Sequence, residues 1–274
     1  MVVFISMMRK YIELYMNKKI DVDFIRNNIS PSTTIGEKIM YFDELESTMD
    51  TIRGFANSKA KEGTVVVAGL QKKGRGRFGR SWVSERDKDI LISILLKPDQ
   101  KVLRALNMAV SLSITDTIKK VADVKPTIKW PNDVRINGCK IAGVLIEVDT
   151  SSIGTDCFVG IGLNVNSNPN SFSEEFDATS LYCESLINFD INNVLSLLLQ
   201  HLDVRYSSIE TSDIVSEWKN NLETLHKNIE ITSKISNQKY NGKAIDVANN
   251  GDLIVKLTDG SIREFSSGEV TLQQ

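Results

Sequence analysis

Apolar residues recur along this chain with two spacings. Between residues 102 and 121 they fall at Leu103, Leu106, Val110, Ile114, Ile118 and Val121, the three-to-four spacing of a helix with one buried face. Ile191 to Tyr206 and Asp213 to Leu225 read as two more helices, and a helix near 48–60 follows Ser47 or Thr48 as its cap. Asp50, three residues after Ser47, completes a pattern resembling a capping box. Other stretches read as strands. Tyr41–Leu45 is one, and Gly63-Thr-Val-Val-Val-Ala-Gly69 is rich in β-branched residues. Asp89-Ile-Leu-Ile-Ser-Ile-Leu-Leu96 is a short, almost unbroken apolar run, the pattern of a buried strand. Pro126 to Lys129 begins another strand, and Asn137-Gly138 between Asp133–Ile136 and Lys140–Glu147 predicts a tight hairpin. Phe158 to Asn166 is a glycine-bearing strand, with glycine where a neighbour must approach closely.

The pattern changes near residue 227. Beyond it come short alternating strands and tight turns at Asn249-Asn-Gly-Asp252 and Thr258-Asp-Gly260. This divides the chain into an N-terminal helical extension (1–36), a main domain (37–227) and a small β module (228–274). The fold class expected is α+β, a mixed or antiparallel sheet with flanking helices. The β module is expected to be barrel-like and, being small, to pack on the main domain. Residues 1–36 are too few for a complete winged-helix DNA-binding domain.

Composition narrows the functions. A formal charge of −2 provides no global field for nucleic acid, so any basic feature is local. Three cysteines, Cys139, Cys157 and Cys183, are odd in number and lack metal-ligand spacing, which fits a reducing compartment. With His201 and His226 as the only histidines, a histidine-based triad or a zinc site is not expected. The apolar start at Met1–Met8 is followed, not preceded, by Arg9 and Lys10, and it is too short to span a bilayer. A cytoplasmic protein without a membrane partner is expected.

The candidate chemistry centres on Gln71-Lys-Lys-Gly-Arg-Gly-Arg-Phe-Gly-Arg-Ser-Trp82. Glycine lets backbone approach a ligand, and arginine presents a fork of donors to carboxylates and phosphates. Gly74, Gly76 and Gly79 satisfy the dinucleotide fingerprint, but a strand rather than a helix follows, so that reading fails. No Gly-Lys-Ser/Thr ends the loop, which rules out a Walker A site. Three more motifs accompany it: Lys129-Trp-Pro-Asn-Asp133, Lys140-Ile-Ala-Gly143 and Gly160-Ile-Gly162-Leu-Asn164. Singly, each is as well explained by a turn, a core aromatic or a barrel corner.

In series, beginning with Glu46-Ser47-Thr48, passing Glu147 and ending with Ser267-Gly268-Glu269-Val270, they resemble the biotin protein ligases over roughly residues 38 to 270. The resemblance implies a catalytic domain like that of class II synthetases and a C-terminal SH3-like β-barrel. It implies activation of biotin by ATP to biotinyl-5′-AMP, then transfer to one lysine of a biotin carboxyl carrier protein, with Mg²⁺ required. By position it implies catalytic roles for Arg75, Arg77 and Lys140. Biotin would be bound by Ser47, Thr48, Gln71, Gly74, Arg75, Gly76, Arg77, Lys140, Gly143 and Gly162. ATP would be bound by Arg77, Arg80, Trp82, Asn132, Asp133, Lys140 and Asn164, with Asp133 helping to hold the metal. The first 36 residues do not resemble the DNA-binding domain of the repressor-type ligases, so no DNA partner is expected. Relatives are often dimers, which makes a homodimer possible. The alternatives are lipoate-type acyl transfer, disfavoured by the Gly-Arg-Gly-Arg loop, and a non-catalytic biotin or nucleotide sensor.

Overall fold

The computed structural model describes residues 19–151, 154–168, 177–233 and 238–273. Half of the expected N-terminal extension, residues 1–18, lies outside the described residues. What is described of it contains one short helix, α1 (Val22–Asn28), started by Asp21, whose carboxylate accepts from Phe24 N at 2.9 Å.

Seven strands form the central sheet: β1 (Ile39–Phe42), β2 (Val65–Ala68), β5 (Ile90–Leu96), β9 (Gly154–Leu163), β8 (Cys139–Ser151), β7 (Asp133–Ile136) and β6 (Thr127–Lys129), side by side in that order. β1 and β2 are parallel and every other pair is antiparallel, so the sheet is mixed. β5 explains its own sequence. Every residue of it is buried, because the sheet is covered on both faces and alternation would leave polar groups dry. On one face lies α2 (Thr48–Asn57), packing Met49, Ile52 and Ala56 against Val66, Leu95 and Phe158. On the other lie α3 (Leu103–Val121) and α5 (Ile191–Ser207), in a larger cluster that continues into the C-terminal strands. The short helices α4 (Leu181–Ser185) and α6 (Ile214–Asn221) complete the layer. Asn137 and Gly138 both have positive φ, 50° and 84°, as the hairpin turn requires.

Two expectations need correction. Ser47 is the N-cap residue of α2, but its side chain makes no capping bond, and Asp50 pairs with Arg75 instead. The capping-box pattern therefore records a site, not a cap. The C-terminal strands β10 (Asn228–Thr232), β11 (Lys239–Val247), β12 (Leu253–Leu257), β13 (Ile262–Phe265) and β14 (Glu269–Leu272) form an antiparallel sheet in the order β13-β12-β11-β10-β14. Among the described residues no hydrogen bonding closes β13 onto β14, so this is not a closed barrel. It curls nonetheless. Phe265 and Glu269 lie on opposite edges, about 19 Å apart in a flat five-stranded sheet, yet four residue steps reach only about 14 Å.

Among the described residues, no helix is long and apolar enough to cross a membrane. One buried carboxylate ties the main domain together. Asp89, at the head of β5, is 3 % exposed, and burial pushes its pKa up to about 6. A folded value above the unfolded one stabilises the protein at low pH. That contribution is complete below the unfolded value near 4 and is lost as pH rises through 6. We therefore expect Asp89→Asn to gain relative to the parent by up to about 3 kcal/mol between pH 4 and pH 7. Denaturant unfolding of both proteins across that range checks it; parallel pH profiles would contradict it.

Candidate active site

The glycine-arginine segment is a small hairpin. β3 (Gly74–Arg75) pairs with β4 (Ser81–Trp82), and Gly76 N donates to Arg80 O at 2.7 Å. Its tip holds Phe78 at φ 60° and Gly79 at φ 74°. The left-handed region suits glycine and is uncommon for phenylalanine, so Phe78 carries local backbone strain at an exposed tip. This hairpin forms one wall of a cavity of about 450 Å³. The Lys129–Asp133 segment, Lys140 to Leu145 and the Gly160–Asn164 strand end supply the others. Of the sequence-derived candidates, all but Ser47 and Gly74 line this cavity.

Glycines shape it. A methyl group on Gly162 would fall 2.4 Å from the Trp82 ring, and one on Gly143 would fall 3.0 Å from that ring and 3.1 Å from Lys140 Nζ. Bare backbone at these two points lets the indole lie flat against the sheet and brings the lysine beside it. Gly74 does the same for the hairpin, facing Trp82 O.

The inner end is a polar relay. Ser93 donates to Thr48 Oγ1 at 2.7 Å, and Thr48 donates to Gln71 Oε1 through its hydroxyl at 3.0 Å and its backbone N–H at 2.8 Å. Gln71 Oε1 is thus fully engaged, and its amide nitrogen is the donor left for a ligand. Ser93 was not a sequence candidate, although a serine inside the β5 apolar run is a visible anomaly. Ser47 Oγ lies nearby in sequence, buried without a hydrogen-bond partner.

The middle is cationic. Arg77 donates to Asn132 Oδ1 at 2.9 Å, and its guanidinium sits 4.7 Å from the Phe78 ring centroid. Burial pulls its pKa down and nearby Asp133 opposes that shift, but an arginine stays charged. Lys140 Nζ pairs with Asp133 at 2.6 Å and lies 5.5 Å from the Trp82 ring centroid. Lys129, in the motif but without an assigned role, also lines the cavity, and burial lowers its pKa. Asn132 is fixed by donating to Val144 O at 2.5 Å. Arg75 lines the cavity too, but its guanidinium pairs with Asp50 at 2.7 Å and approaches Glu147 at 3.6 Å. Arg80 pairs with Glu269, so the C-terminal sheet closes the outer rim.

The outer end carries two buried polar atoms that no protein group satisfies, Trp82 Nε1 and Asn164 Oδ1; Ser84 Oγ, two residues beyond Trp82, is also buried without a partner. Such groups are rare and call for a ligand or water. Among the described residues, no group of three His, Cys, Asp or Glu side chains could enclose a metal ion.

Comparison with known proteins agrees with this geometry. Residues 41–164 match the model of the biotin/lipoate A/B protein ligase family, and residues 224–272 match the biotin protein ligase C-terminal domain. The chain is 31% identical over 246 residues to the bifunctional ligase/repressor BirA of Bacillus subtilis, covering 87% of this chain and 75% of that protein. It is 31% identical over 177 residues to the biotin–[acetyl-CoA-carboxylase] ligase of Mycobacterium tuberculosis, covering 62% and 61%. It is similar in structure to the biotin protein ligase of Aquifex aeolicus in complex with biotin and ATP, with a TM-score of 0.75, 28% identity and coverage of 87% and 99%. The chain belongs to the biotin protein ligase family.

Proposed function

We propose that this chain is an ATP-dependent ligase that joins biotin to a lysine of a biotin carboxyl carrier protein in two steps. The observation that carries this reading is one cavity holding Arg77 and Lys140 between a neutral polar end and an end with unsatisfied polar atoms. The inner relay of Thr48 and Gln71 suits the uncharged ureido ring, beside Ser47, Gly74 and Gly76. The outer end, with Trp82, Arg80, Asn132 and Asn164, suits the nucleotide.

In the first step a biotin carboxylate oxygen bonds to the α-phosphorus of ATP and the bond to pyrophosphate breaks. Two anions must meet, a repulsion that is severe in a dry site. Arg77 and Lys140 offset it and face the charge developing on phosphorus. The carboxylate is already ionised at neutral pH, so no strong base is needed, and positioning carries much of the work. Arg75 joins this group once a substrate carboxylate competes with Asp50 and Glu147. In the second step the neutral carrier amine attacks the anhydride carbonyl, the bond to AMP breaks, and the nitrogen's proton passes to a phosphate oxygen of the departing AMP. The hairpin lies over this product and limits water.

Mg²⁺ fits as an ion that substrate phosphates would mainly hold, with Asp133 shared between it and Lys140; when bound it would neutralise phosphate charge. The division at 36/37 and 227/228, the cytoplasmic setting, the absence of a DNA partner and a homodimer complete the proposal.

Mixing the full chain with biotin, ATP, Mg²⁺ and a carrier domain should add one biotinyl group to the carrier, read by mass spectrometry. Bound adenylate without carrier labelling would favour the sensor alternative. Neither adenylate nor labelling would overturn the reading.

A further inference from the structure

We infer that Asp89 is a positioning residue for the nucleotide end of the cavity, stapling the segment after Trp82 to the segment that begins at Asn164. This rests on the reading that Trp82 and Asn164 flank the nucleotide.

Asp89 Oδ1 accepts from Val165 N at 3.0 Å and from the Ser167 hydroxyl, and Oδ2 accepts from Glu85 N at 3.4 Å. Two more bonds run between the same segments. Asn166 N donates to Lys88 O at 2.8 Å, and Asn168 N donates to a Glu85 carboxylate oxygen at 3.0 Å. The unsatisfied atoms at this end sit on the stapled pieces or at their ends: Trp82 Nε1, Ser84 Oγ and Asn164 Oδ1. The staple ties together the chain pieces that carry these atoms, and Asp89 is its buried centre.

Burying a carboxylate is costly, and a buried polar group is best justified where it fixes one geometry. Asp89 is not among the residues lining the cavity, and no step of the reaction uses it. Its bonds instead join two segments that border the cavity, which points to a role in spacing. The same carboxylate reaches three donors on two separate stretches, so removing it loosens the tie between them and leaves only the Asn166–Lys88 and Asn168–Glu85 bonds. A substrate bound by Trp82 and Asn164 would then first have to order them, which weakens apparent affinity for that substrate alone.

The test uses the full chain, with pyrophosphate exchange measured at varied ATP and varied biotin. Asp89→Ala should raise KM for ATP by about tenfold or more, the loss of at least one charge-assisted bond, with KM for biotin changing less than about twofold. Asp89→Asn keeps an acceptor for Val165 and Ser167 and should recover most of the loss. Ser167→Ala, a milder change, should shift KM for ATP in the same direction and keeps the test open if Asp89→Ala does not fold. Amide hydrogen exchange should quicken at Val165 and Glu85 in Asp89→Ala but not at Val159 in mid-strand β9. Equal rises in both KM values, an unchanged KM for ATP, or no rescue by asparagine would overturn the inference. A parent chain that shows no exchange at all would instead sink the ligase reading on which it rests.

Discussion

Lys140→Ala should lower the rate of biotin-dependent pyrophosphate exchange by about 100- to 1,000-fold, the usual loss when one preorganised electrostatic group is removed. The size follows from what remains. Lys140 neutralises Asp133 at 2.6 Å inside the cavity. Without it, Asp133 is an unpaired carboxylate facing two anionic substrates, so the substitution removes attraction and adds repulsion. Arginine is not a substitute. The lysine stem passes 3.1 Å from where a Gly143 methyl would sit, alongside the Trp82 ring, and a planar fork needs more room than a single ammonium. Both Lys140→Ala and Lys140→Arg should therefore fold with near-parental stability, because the pair is partly exposed, and both should be slow. Exchange rates within about threefold of the parent for Lys140→Ala would remove Lys140 from the mechanism.

Arg77→Gly has the second large effect, and it differs in kind. Arg77 is the hairpin arginine that turns inward, bonded to Asn132 and packed on Phe78. Arg75 and Arg80 are held at the rim by Asp50, Glu147 and Glu269. Deleting Arg77 removes a charge-assisted grip on the intermediate worth about 1.5–3 kcal/mol. Dissociation of biotinyl adenylate should quicken by about 10- to 100-fold, and the freed anhydride should label lysines on unrelated proteins. Mass spectrometry of a bystander protein in the reaction reads this directly. Labelling confined to the carrier would contradict the retaining role.

How much of this was legible beforehand depends on the range of the interaction. β5 was legible because burial on both faces leaves a local signature, an unbroken apolar run. The 137–138 turn was legible because positive φ restricts composition. The series of site motifs was legible as a resemblance, and the cavity gathers nearly all of its residues. What local pattern could not reveal were partners distant in sequence. Ser47 and Asp50 looked like a cap because spacing cannot register that Arg75 takes the Asp50 carboxylate, nor that the Ser47 hydroxyl is buried without a partner. Glu269 was part of a quoted motif, yet only the fold brings it to Arg80. Asp89 looked like the edge of a strand, and its three donors come from two other segments. The expected barrel failed for a related reason: short alternating strands announce a curled sheet but not whether its two edges join.

On this reading, the cavity makes an acyl adenylate from biotin and ATP. Isotope exchange between labelled pyrophosphate and ATP tests it most directly, because it reports the first step without a carrier. We expect exchange that requires biotin and a divalent ion, and that falls sharply in Lys140→Ala. Absence of exchange in the parent chain at saturating biotin and ATP, or exchange that proceeds equally without biotin, would contradict it.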